Sequence, residues 1–131
     1  MSSRYREVYS AWKADPEGFW ARAAADIDWS RTWDKVFDGE AGVYGRWFVG
    51  AECNVCHNAI DRHVAGGRAD QVALIHDSPM TKSVARFTYA EVKAEVVALA
   101  AVLQDLGVTK GDRVIIYMPM IPEAAYAMLA C

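Results

Sequence analysis

The stretch "FTYAEVKAEVVALAAVLQDLGVTKGDRVIIYMPM", residues 87–120, decides the fold. Thr88 and Glu91 form a T-x-x-E capping box, in which each side chain can satisfy an unpaired backbone N–H at the start of a helix. Gly107 stands where a left-handed residue commonly ends a helix. Between these two signals the pattern predicts one long amphipathic helix. Its apolar residues at helical spacing are Val92, Val96, Leu99, Val102, Leu103 and Leu106.

Strand-like runs flank this helix on both sides. Upstream, "QVALIHD" (71–77) and "VARF" (84–87) are short apolar runs separated by a turn that contains Pro79. Downstream, "KGDRVIIYMPM" (110–120) is apolar without alternation, as expected for a parallel strand that is covered on both faces. Pro122 then starts a final helix. The order of strand, helix, strand and helix predicts an α/β fold with parallel strands, joined by right-handed crossovers.

The first part of the chain is predicted to hold short helices and irregular segments. Residues 5–13 carry an apolar stripe at helical spacing and should form a short helix. Asp15 is well placed as the N-cap and Pro16 as the first residue of a second helix, which should end near Asp26. The segment "GVYGRWFVGAECN" (42–54) reads as extended chain.

A third helix is predicted between Asn54, its N-cap, and the glycine pair Gly66 and Gly67, which should end it. Three residues of this helix recur at i, i+4 and i+8 and should face a core. They are Cys56, Ile60 and Val64.

The sequence changes in character near residue 68, and no repeat or low-complexity linker marks another boundary. We therefore expect an N-terminal segment over residues 1–67 and a second region over residues 68–131. The final helical pattern runs into Cys131 without a capping residue or a following strand. A parallel sheet covered on both faces usually needs more strands than these, so the predicted α/β layer is incomplete.

Composition limits the classes of function. The chain has 131 residues, is 53% hydrophobic and carries a formal net charge of −3, which fits an ordered globular chain and disfavours a nucleic-acid partner. The N-terminus has no uncharged apolar segment typical of a secretory signal, so a cytoplasmic location is predicted. The most apolar run, residues 114–131, is interrupted by Pro119 and Pro122, and no membrane span is predicted.

The motif C-x-x-C-H at Cys53, Cys56 and His57 is the spacing used for covalent haem attachment. The missing export segment and the parallel-sheet signals disfavour haem. A zinc site with His63 as fourth ligand is disfavoured because His57 and His63, six residues apart, face opposite sides of a helix. A reactive Cys53 thiol near a helix N-terminus is the remaining chemical alternative. A capped helix with Cys56 in a core is the favoured interpretation, and no metal ligand is predicted.

No other cluster in the sequence is competent for catalysis. Residues 61–63, "DRH", face three directions on a helix, so surface ion pairs or packing against the N-terminal segment are expected. The glycines in "VAGGRADQ" and "LGVTKGDR" match neither G-x-G-x-x-G nor G-x-x-x-x-G-K-[ST] and are predicted to be helix ends and turns. We therefore predict no catalytic and no cofactor-binding residue in this chain.

Four segments carry a family resemblance: "DPEGFW" with "IDW", "RWFVGAECNVCHNAIDRH", "FTYAEV" and "LGVTKGDRVIIYMPMIPEAAYAMLAC". Over residues 5–131 the chain resembles the beginning of the AMP-forming acyl-CoA synthetases, in the acetyl- and propionyl-CoA synthetase branch of the adenylate-forming enzymes. Within that branch "RWF", "N-x-C-H-N-A-I-D-R" and "IHDSP" look more like propionyl-CoA synthetases. Residues 68–131 would then be the truncated start of the AMP-binding domain.

The resemblance implies a two-step reaction in the full-length enzyme. Propionate and ATP, with Mg²⁺, give an acyl-adenylate and pyrophosphate, and the thiol of coenzyme A then displaces AMP. The Ser/Thr/Gly-rich loop and the lysine that this chemistry needs are absent here, so this chain is expected to be inactive alone. A separately encoded remainder of the enzyme is a possible partner. The alternatives are an acetyl-CoA synthetase fragment, a non-catalytic interaction or scaffold module, and a haem protein.

Overall fold

A computed structural model describes residues 4–131. The chain divides into two compact units between Asn54 and Val55, called here the N-unit and the C-unit. The division falls earlier than the sequence boundary at residue 67, because residues 55–68 pack with the elements that follow them. The boundary at residue 67 stays a prediction about the ends of the domains.

The N-unit combines two helices with two antiparallel strand pairs. Strand β1 pairs with β4, and β2 pairs with β3. The elements are α1 (Arg4–Ala14), α2 (Pro16–Ala24), β1 (Trp29–Arg31), β2 (Lys35–Asp38), β3 (Arg46–Val49) and β4 (Glu52–Cys53). Both predicted helices are thus confirmed, although α2 ends two residues before the predicted position. The extended segment is confirmed in part, since its first residues form turns.

The start of α2 follows the predicted capping geometry. The backbone N–H of Gly18 donates to Asp15 Oδ1 at 2.9 Å, and Pro16 occupies the first helical position. A proline is favoured there because its missing N–H would have no partner in the helix. The cap therefore fixes where α1 ends and α2 begins.

Aromatic rings, rather than aliphatic side chains, pack the N-unit. Phe48 lies between two tryptophans, with ring centroids 5.5 Å from Trp29 and 5.2 Å from Trp33. Phe37 packs on Trp47 at 4.6 Å. The indole N–H of Trp29 donates to the carbonyl of Ala24 at 2.8 Å, which ties β1 to the end of α2. Phe48 has φ +49°, a left-handed value that a bulky residue adopts only when its surroundings hold it there.

The C-unit begins with a helix over residues 55–68 that has wide turns. Two of its segments, His57–Asp61 and Val64–Arg68, are π-helical. Gly67 has φ +83°, a conformation that glycine adopts without a steric penalty, so helical geometry breaks at the predicted glycine pair. The predicted helix is confirmed, with Cys56, Ile60 and Val64 in one apolar cluster.

A β-hairpin and two helices complete the C-unit. Strands β5 (Val72–Ser78) and β6 (Ser83–Thr88) pair antiparallel, and α3 (Tyr89–Asp105) and α4 (Pro122–Ala130) follow. The core of this unit lies between these elements and the helix over residues 55–68. Its buried residues are Ile60, Val92, Val96 and Tyr126.

The predicted ends of α3 are confirmed. The Glu91 N–H donates to Thr88 Oγ1 at 3.2 Å, and the Thr88 N–H donates to Glu91 Oε2 at 2.7 Å, so both halves of the capping box are present. After α3, Gly107 adopts the left-handed conformation with φ +85°. The helix is therefore closed at both ends by the residues that the sequence marks.

The prediction of a buried strand over residues 110–120 is wrong for the described chain. No segment within residues 4–131 pairs with this stretch, and all described strand pairs are antiparallel. The side chains of Ile115 and Tyr117 are 90% and 100% exposed. A strand forms when a neighbour supplies hydrogen-bond partners and covers its faces, and no described segment does so here. The mixture of helices and sheets still agrees with the predicted α/β class.

No helix within residues 4–131 is both long and apolar enough to cross a membrane.

Candidate functional site

The residues of the C-x-x-C-H motif lie in different environments. Cys53 ends β4 of the N-unit, where it is paired with Trp29 and exposed. Cys56 lies in the first turn of the helix over residues 55–68 and packs against the core of the C-unit. A covalent haem would need both thiols free at one surface, which the packing of Cys56 opposes. The structure therefore supports the structural interpretation of this motif.

The Cys56 thiol is unsuited to nucleophilic chemistry. Burial raises the pKa of Cys56, and the negative charge of Asp61 raises it further. A reactive cysteine needs the opposite environment, one that favours the thiolate. Within residues 4–131, no group of three or more His, Cys, Asp or Glu side chains is arranged to hold a metal ion.

The residues of the "DRH" triplet make separate contacts inside the C-unit. Lys93 Nζ of α3 forms an ion pair with Asp61 Oδ1 at 2.8 Å, which confirms the expected surface ion pair. The His63 ring packs on Tyr89 at 5.0 Å between centroids, and its Nδ1 lies 3.2 Å from Arg68 Nη1. The Arg68 guanidinium in turn lies 5.4 Å from the Tyr89 ring centre. These contacts fasten the helix over residues 55–68 to α3, and they do not form an acid–base pair.

An acidic pocket lies where α3 and α4 begin, and the sequence did not predict it. The cavity has a volume of about 280 Å³. Its wall residues are Phe87, Glu91, Glu95, Pro122, Glu123 and Tyr126. Two sequence signals could have indicated it, namely like charges four residues apart on α3 and a glutamate in the first turn of α4. This acidic pocket therefore brings three carboxylate side chains to one concave surface of the C-unit.

Burial raises the pKa of the Tyr126 hydroxyl in this pocket, and the charges of Glu95, Glu123 and Glu91 raise it further, in that order. Glu91 is engaged by Thr88, whose backbone and side-chain hydrogen bonds lower the pKa of the Glu91 carboxyl. The pocket therefore carries negative charge around a neutral phenol.

Three local features of the C-unit differ from a phosphate-binding loop. Helix α4 has no side-chain cap, and Glu123 in its first turn places a negative charge where a phosphate would bind. Gly66, Gly67 and Gly107 have no atoms within 4 Å of an added Cβ, so they do not line a cradle that closes around a ligand. Thr109 donates to Asp112 at 2.7 and 2.9 Å and is engaged in a turn.

Comparison with known proteins defines the class of protein. A sequence model described as "AMP-binding enzyme" matches residues 61–131, and one described as "Acetyl-coenzyme A synthetase N-terminus" matches residues 5–59. The chain belongs to the AMP-binding enzymes, within the adenylate-forming superfamily, and resembles their short-chain acyl-CoA synthetases. The predicted family is thus confirmed.

Sequence matches to individual proteins support the assignment to this family. The chain is 48% identical over 129 residues to the human mitochondrial acyl-CoA synthetase short-chain family member 3, and the match covers 98% of this chain and 19% of that protein. It is 45% identical over 131 residues to the acetyl-coenzyme A synthetase of Syntrophus aciditrophicus (strain SB), covering 97% of this chain and 20% of that protein.

A solved structure supports the fold. The acetoacetyl-CoA synthetase from Streptomyces lividans matches with a TM-score of 0.80 and 35% identity, covering 92% of this chain and 19% of that one. The α/β class predicted from sequence is therefore confirmed. The chain spans about a fifth of the length of the relatives that it matches.

Proposed function

We propose that this chain forms the N-terminal part of an AMP-forming short-chain acyl-CoA synthetase. The observation that carries the proposal is the pair of family matches, which together cover residues 5–59 and 61–131. In the whole enzyme, a short carboxylate, ATP and coenzyme A would give an acyl-CoA, AMP and pyrophosphate, with Mg²⁺ neutralising phosphate charge. Residues outside this chain would supply the ATP, acyl and coenzyme A sites.

The contribution of this chain to such an enzyme would be structural. Two observations support this proposal: the aromatic packing of the N-unit and the apolar core of the C-unit. We infer that no residue here is catalytic, cofactor-binding or metal-binding.

Pyrophosphate release tests this inference. The 131-residue chain is incubated with propionate, ATP, Mg²⁺ and coenzyme A, and no release above the no-enzyme background is expected. Turnover by the chain alone would contradict the proposal that residues outside this chain form the active site of the enzyme.

We propose propionate as the acyl substrate, with acetate as the alternative. The support for propionate is the resemblance of "RWF", "N-x-C-H-N-A-I-D-R" and "IHDSP" to propionyl-CoA synthetases. Acetate is at least as well supported, since relatives named as acetyl-coenzyme A synthetases match at 45–46% identity. A polypeptide that continues through the adenylation domain would decide the matter, because kcat/KM for the two acids can be compared directly. A higher value for acetate would overturn the choice of propionate.

A second candidate function, an interaction or scaffold module, is favoured by one observation. No described strand pairs with residues 113–119, and several apolar side chains of this stretch are exposed, including Ile115 and Tyr117. Such a surface can pair with a strand from a separately encoded remainder of the enzyme. Size-exclusion chromatography separates the two candidates. A compact monomer that melts cooperatively favours the interaction module. Concentration-dependent aggregation favours a part of a larger synthetase domain.

We propose a cytoplasmic location for the whole protein, with the mitochondrion as the alternative. The human relative carries "mitochondrial" in its name, so the two locations compete. Imaging of the tagged polypeptide distinguishes them, and mitochondrial import would overturn the cytoplasmic proposal.

A further inference from the structure

An apolar groove, called here the aromatic groove, lies between α1 and α2 of the N-unit. Its volume is about 200 Å³, and five of the six side chains that line it are aromatic. The six are Tyr5, Val8, Tyr9, Trp12, Phe19 and Trp20. The ring centroids of Tyr5 and Tyr9 lie 5.9 Å apart, and those of Tyr9 and Trp12 lie 5.6 Å apart. One wall of the groove is therefore a continuous row of rings.

The aromatic groove is open to solvent in the structure. On α1, Tyr5 is 70% exposed and Tyr9 is 45% exposed. The opposite wall is held in place, because the Trp20 ring contacts Phe19 at 5.3 Å and Trp47 of β3 at 6.3 Å. Exposed aromatic rings that line a concave surface are typical of a docking site for another protein segment.

Positive charge borders the row of rings on α1. Arg6 and Lys13 lie one helical turn from Tyr9, along one edge of the apolar stripe. Arg4 lies one turn from Val8, along the other edge. None of these three cations forms an ion pair within residues 4–131. Their charges are therefore available to a ligand in the groove.

The acidic groups of the two helices do not balance these three cations. Glu7, the one acidic residue of α1, lies on the face opposite the apolar stripe. At α2, Asp15 pairs with Arg22 at 3.5 Å, which leaves Glu17 as the remaining acidic residue. The border of the aromatic groove is thus basic overall, which favours an acidic ligand and disfavours a second copy of α1.

The aromatic wall favours a ligand in the polyproline II conformation. Such a segment has no internal hydrogen bonds and keeps its backbone solvated, so it needs few polar groups from the surface that binds it. Proline-rich segments dock in grooves lined by aromatic rings. One turn of polyproline II rises about 9 Å, and Tyr5 and Trp12 are about 10 Å apart along the axis of α1. One proline-rich turn therefore matches the length of the row.

We propose that the aromatic groove binds a proline-rich, acidic segment of a partner protein. The proline rings pack on the row of Tyr5, Tyr9 and Trp12, and the carboxylates of the segment pair with Arg6 and Lys13 at the border. A protein segment fits this site better than a lipid surface, because a flat bilayer does not fill a concave groove between two helices. The binding requires no step of the synthetase reaction.

The test is an NMR titration of the 131-residue chain that follows the indole N–H signals of its tryptophans. The probe is an acetylated and amidated octapeptide of six prolines with aspartate at its third and sixth positions. Saturable shifts are expected for Trp12 and Trp20, which line the groove. No shift is expected for Trp33, which packs on Trp29 and Phe48. The absence of saturable shifts at Trp12 and Trp20 would overturn the proposal.

Two control peptides separate the contributions of charge and conformation. Lysine in place of aspartate reverses the charge and should weaken binding about tenfold at low salt. Alanine in place of proline keeps the charge and should also weaken binding about tenfold, because the alanines lose more backbone freedom when they adopt polyproline II. If either control bound as tightly as the probe, the proposed recognition would be wrong.

Variants of the chain assign the binding to the groove. Tyr9→Ala removes the central ring of the row and should weaken binding of the octapeptide about tenfold. Tyr44→Ala is the matched control, because Tyr44 belongs to the N-unit, is 92% exposed and does not line the groove. Arg6→Gln leaves the rings in place and should weaken binding about threefold, whereas Arg46→Gln on β3 should have no effect. Unchanged affinity in both Tyr9→Ala and Arg6→Gln would refute the site.

Two further titrations test other ligands of the aromatic groove. Neither phosphatidylserine vesicles nor a rising concentration of the chain alone should shift the indole signals of Trp12 and Trp20. Shifts with vesicles but not with the octapeptide would assign the groove to a membrane surface. Shifts that grow with the concentration of the chain would assign it to a second copy. Either result would overturn the proposal of a proline-rich partner.

Discussion

The two halves of α3 share one apolar pattern but differ in burial. Val92 and Val96, in the first half, are 3% and 4% exposed, whereas Val102, in the last turn, and Leu106, the residue after the helix, are 52% and 75% exposed. The first half packs against the hairpin and the helix over residues 55–68, whereas Val102 and Leu106 are not among the residues that pack on this core. Helical spacing therefore identifies a face that can be buried, while a neighbouring element decides whether it is.

The largest expected effect is in the covered half. Val96→Ala removes two methyl groups from the core and should lower the free energy of unfolding by about 2 kcal/mol. Val102→Ala is the matched control, since it makes the same change in the same helix, and it should cost less than about 0.5 kcal/mol. Urea unfolding followed by circular dichroism measures both. Equal losses in the two variants would mean that the second half of α3 is covered in solution.

The start of α3 should show the next largest effect. Thr88→Ala removes the hydroxyl of the capping box and should cost about 1 kcal/mol. Thr109→Ala removes a similar contact, to Asp112, in a turn where no helix begins, and should cost less than about 0.5 kcal/mol. The same urea experiment compares them. An equal loss for Thr109→Ala would show that this turn contributes to the folded unit as much as the cap does.

A smaller effect should appear as a pH dependence. Hydrogen bonds from Thr88 lower the folded pKa of Glu91 below its ordinary value of 4.5. The unfolded chain then binds the proton first, so the contribution of Glu91 to stability is present above about 4.5 and is lost as the pH falls through the folded pKa. Glu91→Gln should reduce the loss of stability between about pH 7 and about pH 3. Glu40→Gln, outside the box, is the control, and an equal reduction there would contradict the assignment.

The smallest change in stability is expected in the uncovered stretch. Tyr117 is fully exposed, so Tyr117→Thr should alter the free energy of unfolding by less than about 0.5 kcal/mol. The same substitution should reduce self-association, because it removes an aromatic side chain from an unpaired apolar segment. Light scattering as a function of concentration measures this. A large loss of stability would show that Tyr117 is packed in solution.

Local signals in the sequence predicted most elements of the fold. Asp15 with Pro16, the Thr88–Glu91 box and Gly107 each act through neighbours within four residues, and all three are present as predicted. The strand over residues 110–120 could not be predicted in the same way, since its formation depends on a partner that is distant in sequence. The π-helical turns at residues 57–68 also went unpredicted, because apolar residues four apart suit both an α-helix and a slightly wider one.

The candidate site shows the same limit. Sequence spacing indicated correctly that Cys56 faces a core. Sequence spacing did not predict that Glu123 lies near Glu91 and Glu95, because their proximity depends on how α4 packs on α3. The pocket is thus a tertiary feature without a motif of its own.

The distribution of tryptophan has a practical consequence for spectroscopy. All five tryptophans of the chain belong to the N-unit, and the C-unit contains none. Intrinsic tryptophan emission therefore reports on the N-unit alone, whereas most of the helical circular dichroism signal comes from the C-unit, which holds most of the helical residues. Recording both signals in one denaturation experiment shows whether the two units unfold together, without any label or mutation.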